Sequence, residues 1–89
     1  MARRLEEPDK ALGLAIQRLR NERDLKSREV AERADVNPTH YSRLENGRVN
    51  PSWAMVRRVA EALGLPVSEL AARAERIARE RQSLRPQSR

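Results

Sequence analysis

Apolar residues recur along the chain at intervals of three and four, and each run is bounded by residues that start or stop helices. The first run, Leu12, Ala15, Ile16 and Leu19, forms the stripe of a helix opened by Asp9 after Pro8 and reaching about Arg23. Gly13 within it costs roughly 1 kcal/mol against Ala, which predicts close packing against another backbone. A second helix starts at Ser27, where Val30 and Ala34 share one face and Ala31 keeps a crossing point small. Tyr41 and Leu44 give the inward face of a third. Ser52 caps a fourth that reaches about Leu63, with Val56, Val59, Ala60 and Leu63 inward and Trp53 and Met55 bordering the same face. Gly64 closes it. Pro66 suits the start of a fifth, in which Leu70, Ala74, Ile77 and Ala78 repeat to about Arg81, with Glu69–Arg73 and Glu75–Arg79 as solvent-side pairs. The expected fold class is all-α, five helices without a sheet or an internal repeat.

The corner between the second and third helices has its own chemistry. Asp35 tolerates the left-handed conformation of a sharp exit, and Val36 can plug the angle between the helices. Asn37 offers an N-cap oxygen, and Pro38 suits the first helical position, where its missing N–H costs nothing. Asn46-Gly47 supplies the stop. With Tyr41 and Leu44 facing inward, Thr39, His40, Ser42 and Arg43 remain as polar side chains that the core does not require.

Composition narrows the function. The 89 residues allow one small domain, and the formal charge of +6 with a pI near 11.2 favours a polyanionic partner. Charged residues make up 36%, but acids and bases are interleaved, and Arg greatly outnumbers Lys. There is no cysteine, no apolar run long enough to span a bilayer and no visible signal peptide. A soluble, cytoplasmic protein is expected. Residues 1–8 read as a flexible N-terminal arm whose Arg3 and Arg4 can reach a minor groove or stay solvated; residues 9–81 read as the domain, and 82–89 as a disordered basic tail.

The chain has no phosphate-cradling glycine loop and no His/Cys/Asp constellation, so no enzyme and no cofactor are expected. His40 is the only histidine and has no second ligand at i±3 or i±4, so no metal site is expected. RNA binding by stacking would use exposed aromatics, and the chain has one Trp, one Tyr and no Phe.

From about Leu12 to Leu70 the sequence resembles the Cro- and phage-repressor-type helix-turn-helix family. The resemblance is carried by Leu19-Arg20, Leu25, Val30-Ala31, Ser42, Leu44 and Glu45-Asn46-Gly47. It continues through Pro51, the Ala60-Glu61-Ala62-Leu63-Gly64 run and Glu69-Leu70. Asp35 stands at the usual corner Gly, Lys26 at the usual Ser cap and Ser27 at the usual Gln. The resemblance implies a lambda-repressor-like domain whose third helix enters the major groove of double-stranded DNA.

On that docking, Arg43 can pair with guanine O6 and N7, and Thr39 can hydrogen-bond or pack a thymine methyl. His40 and Ser42 complete the base-facing set; His40 suits a phosphate or solvent better than a metal, and Ser42 is even between a phosphate contact and plain helix surface. Pro38 cannot hydrogen-bond at its position. Expected phosphate contacts are Ser27 and Arg28, with Asn46 and Arg48 added by the resemblance; Arg57 and Arg58 are even between DNA rim and surface. Tyr41 can send its hydroxyl to a phosphate, while its ring belongs inside. The resemblance further implies an ion pair between Arg20 and Glu45. The expected function is transcriptional regulation, chiefly repression, by a homodimer on a near-palindrome, its seam the last helix, Val67 to about Arg81, with its thin Ala/Ile stripe and with Trp53 and Met55 as further candidates; the other reading of that stripe is simple docking onto its own domain. The alternative is an antitoxin or another protein-interaction subunit with the same fold.

Overall fold

The computed structural model describes residues 9–84. Five α-helices follow one another: α1 Lys10–Glu22, α2 Ser27–Ala34, α3 Pro38–Glu45, α4 Trp53–Leu63 and α5 Val67–Leu84. The arm expected at 1–8 and the last residues of the tail, 85–89, lie outside the described residues.

The first four helices stop in one way. A residue in left-handed conformation, Asp24 (φ 54°), Asp35 (φ 58°), Gly47 (φ 68°) or Gly64 (φ 81°), turns the chain out of each helix. The next N–H then reaches back five residues: Leu25 to Arg20, Val36 to Ala31, Arg48 to Arg43 and Leu65 to Ala60, at 2.9–3.1 Å. Leu25, Val36 and Leu65 pack on the core, so each of these three exits is fixed by a hydrogen bond and an apolar plug. The exit at Asp35 was expected from the sequence, whereas the one at Asp24 was not, although Asp tolerates the same left-handed conformation at both.

Helix starts are capped as the sequence indicates. Asp9 accepts the Ala11 N–H at 3.0 Å, Asn37 accepts from Thr39 and His40, and Ser52 accepts from Met55 at 3.1 Å. At α2 the Lys26 side chain has no acceptor to offer, and the Glu29 carboxylate instead takes the Lys26 N–H at 2.7 Å.

Val30, Ala31, Ala34, Tyr41, Leu44, Val59, Ala60 and Leu63 form the centre of the core with Ala15, Ile16 and Leu19. Gly13 is where α1 crosses α3: a Cβ there would lie 2.5 Å from the Leu44 carbonyl oxygen and 2.6 Å from that of Glu45. The backbone approach expected from the sequence is thus present.

Several assignments shift. Ala11 takes the innermost place at the start of α1 and leaves Leu12 half-buried. In α4, Met55 is buried and Val56 half-buried, while Trp53 is 65% exposed. At about 100° per residue Trp53 sits roughly a quarter turn from the centre of the α4 stripe, so its ring passes the core rather than entering it. Ala78 is exposed for the same angular reason.

The last helix is also corrected. It continues to Leu84, three residues past the expected end near Arg81, because nothing in Gln82-Ser83-Leu84 breaks a helix before Pro86. Leu70, Ala74 and Ile77 are buried within the chain itself, α5 packing on α1 and α4. That stripe is therefore a core element and cannot be a free homodimer seam. Arg73 does not turn to Glu69: its guanidinium forks onto Glu22 of α1, at 2.9 and 3.2 Å.

Candidate nucleic-acid interface

α3 is a short helix with two unlike faces. Asn37 Oδ1 holds the Thr39 and His40 N–H groups at 2.8 and 3.2 Å, and Pro38 occupies the first turn. Tyr41, Leu44 and Glu45 are buried; Thr39, His40, Ser42 and Arg43 are exposed. The spacing accounts for this split, since Thr39, Ser42, Arg43 and Asn46 fall within one outward sector at about 100° per residue. His40 falls on the flank of that sector.

The outward side chains line a shallow concavity of about 420 Å³ bounded by Pro38, Thr39, Ser42, Arg43, Asn46 and Arg48. A second depression of about 320 Å³ shares Pro38 and runs up α2 past Arg28, Glu32 and Asp35. Three of the four base-facing residues expected from the sequence, Thr39, Ser42 and Arg43, thus share one surface with Asn46 and Arg48, and Arg28 stands beside it. His40 and Ser27 are exposed but line neither depression.

The cations on this side are not engaged. Among the described residues, carboxylates lie within ion-pairing distance of Arg20 and Arg73, not of Arg28, Arg43 or Arg48. Unpaired guanidiniums around a concave surface attract anions, and their planar forks match phosphate and guanine edges.

Behind this surface lies a buried polar network. Arg20 Nε donates to Glu45 Oε2 at 2.6 Å, Nη2 donates to Oε1 at 3.1 Å, and Nη1 donates to the Leu25 carbonyl at 3.0 Å. The Tyr41 hydroxyl donates to the same Glu45 Oε2. One guanidinium therefore joins α1, the approach to α2 and the end of α3, where a lone carboxylate would face the negative end of the helix dipole. The Glu45 hydrogen bond raises the Arg20 pKa further. Burial, then the hydrogen bond to Glu45, pushes the Tyr41 phenol far above its ordinary value, so it remains a donor.

This placement withdraws the Tyr41 hydroxyl from any phosphate, correcting the sequence expectation. Its role was legible in retrospect: Tyr41 and Glu45 are four apart on one helix and so share a face.

Among the described residues, no group of three or more His, Cys, Asp or Glu could hold a metal, and no helix is long and apolar enough to cross a membrane.

Comparison with known proteins gives a consistent picture. A family model described as a helix-turn-helix domain matches residues 11–73. The control protein C.MunI of a Mycoplasma species is 36% identical over 59 residues, covering 65% of this chain and 80% of that protein. The immunity repressor of Bacillus phage phi105 is 36% identical over 59 residues, 66% of this chain but 41% of the repressor. Among solved structures, the clp gene regulator ClgR of Corynebacterium glutamicum superposes with a TM-score of 0.77 at 32% identity. That match covers 86% of this chain and 85% of ClgR.

Proposed function

The chain belongs to the helix-turn-helix family, and we propose that it binds double-stranded DNA by laying α3 in the major groove and thereby regulates transcription. The observation that carries this reading is the concave strip of Thr39, Ser42, Arg43, Asn46 and Arg48, whose arginines are free of carboxylate partners among the described residues. The names of the similar proteins support it: a control protein, an immunity repressor and a gene regulator. The protein acts by binding rather than catalysis, in the cytoplasm, most simply as a repressor.

Arg43 reads a guanine and Thr39 its neighbour; Ser42 and His40 border them. Arg28, Ser27, Asn46 and Arg48 hold phosphates and set the register without reading sequence. Because one short helix reads few base pairs, a homodimer on a near-palindrome supplies the rest. With Leu70 and Ile77 occupied inside the chain, the part of α5 left for a partner is the flank carrying half-buried Val67 and exposed Ala71 and Ala78.

Selection of duplexes from a random library, followed by competition with single-base variants, tests the assignment. Arg43→Ala should relax preference at one position per half-site, by about 1–3 kcal/mol of discrimination. Arg28→Ala should weaken binding to all duplexes alike and flatten the salt dependence. Identical behaviour of the two variants would refute this division of roles.

A further inference from the structure

We propose that Lys10, on the first helix and distant in sequence from the recognition residues, is an additional phosphate-binding residue at the outer rim of the α3 concavity. The inference rests on the DNA-binding reading above. Its basis is where the fold puts α1. A Cβ on Gly47 would fall 2.9 Å from Lys10 Cγ and 3.2 Å from Lys10 Cα, so the lysine stem lies directly on Gly47. Gly47 is flanked by Asn46 and Arg48, and both line the concavity. The Asp9 N–H donates to Asn50 Oδ1 at 3.1 Å, which ties the same end of α1 to the loop after α3.

The electrostatics agree with the placement. Lys10 is exposed, and among the described residues no carboxylate lies within ion-pairing distance of it. The nearest acid in sequence, Asp9, is turned to the Ala11 N–H as the helix cap. A lysine is a mobile point charge on a four-carbon stem. Anchored by its stem against Gly47, Lys10 extends the cationic strip of Arg43 and Arg48 onto α1. Duplex DNA presents a charge about every 1.7 Å along its axis, so a cation at that rim meets the phosphate backbone and not the base edges. Gly47 thereby has two tasks: it ends α3 in left-handed conformation, and its bare Cα leaves room for the lysine stem.

The experiment measures affinity against salt concentration for the native protein, Lys10→Gln and Lys10→Arg, on a duplex recovered by selection with the native protein. Loss of one phosphate contact from each half of the homodimer should make the slope of log K against log salt shallower by about 1.8. The native advantage over Lys10→Gln then shrinks about 12-fold between 50 and 200 mM salt. Lys10→Arg should keep the native slope, and base preference should be the same in all three. Thermal melting of each variant separates loss of a contact from loss of fold. An unchanged slope for Lys10→Gln, with native binding intact, overturns this inference and leaves the DNA-binding reading standing. Altered base preference in Lys10→Gln also overturns it, because the residue would then be reading sequence. Absence of salt-dependent duplex binding by the native protein removes the reading and the inference together.

Discussion

Replacing Arg20 by Met tests how the recognition helix is held. The substitution keeps an apolar stem of similar length in α1 and deletes three donor contacts: two to Glu45 and one to the Leu25 carbonyl. Glu45 stays behind with the Tyr41 hydroxyl as its remaining side-chain partner, its own side chain 7% exposed. Removing one partner of a buried pair costs about 3–5 kcal/mol, because the other charge is left uncompensated. Arg20 itself is 16% exposed, so water can partly replace it, and the lower end, about 3 kcal/mol, applies. For a domain of this size each kcal/mol moves Tm by about 4–8 °C, so the drop should be roughly 12–24 °C. Urea unfolding at neutral pH, followed by circular dichroism, reads the loss directly. The control is the double variant Arg20→Met with Glu45→Gln, which removes the orphaned charge and keeps an acceptor for Tyr41. It should recover at least half of the deficit. A single variant costing under about 1 kcal/mol, or a double variant no more stable than the single, would show that Glu45 is not held as an isolated buried charge.

Three further outcomes are expected. Gly13→Ala should destabilise by about 1–3 kcal/mol although Ala is the better helix former, because its Cβ would meet the Leu44 and Glu45 carbonyls; a rise in Tm would refute the close crossing. Asp35→Asn keeps a side chain that tolerates left-handed backbone and removes an anion from the C-terminal end of α2, so thermal melting should show a gain of about 0.3–1 kcal/mol. The Glu22 carboxyl is held below the usual carboxylate range, chiefly by its hydrogen bond from Arg73. A depressed carboxyl contributes stability above its unfolded pKa and loses it as pH falls through the folded value. The difference in urea midpoint between the native protein and Arg73→Gln should therefore be small but measurable at pH 7, and vanish on acidification below the carboxylate range. A difference independent of pH would assign Arg73 to packing rather than to its ion pair.

The sequence by itself determined what depends on neighbours along the chain. Helical spacing of apolar residues, the Asn37-Pro38 start and the Asn46-Gly47 stop are local instructions. They specify five helices and the outward set Thr39, Ser42 and Arg43 without reference to the rest of the fold. Gly13 announced a close crossing because a glycine inside a helix has a local cost that something else must offset.

Only the tertiary structure decided what depends on the angles between helices. A small rotation about a helix axis separates a core residue from a surface one, which is why Trp53 and Ala78 lie outside while Ala11 and Met55 lie inside. Pairing across helices is equally invisible to spacing. Arg73 has Glu69 four residues away but reaches Glu22, because α5 packs along α1. The Leu70, Ala74 and Ile77 stripe of α5 is used within the chain for the same reason, which leaves only the flank of Val67, Ala71 and Ala78 for a partner. Lys10 gained its place beside Gly47 only through the packing of α1 on the end of α3, a proximity no local pattern encodes.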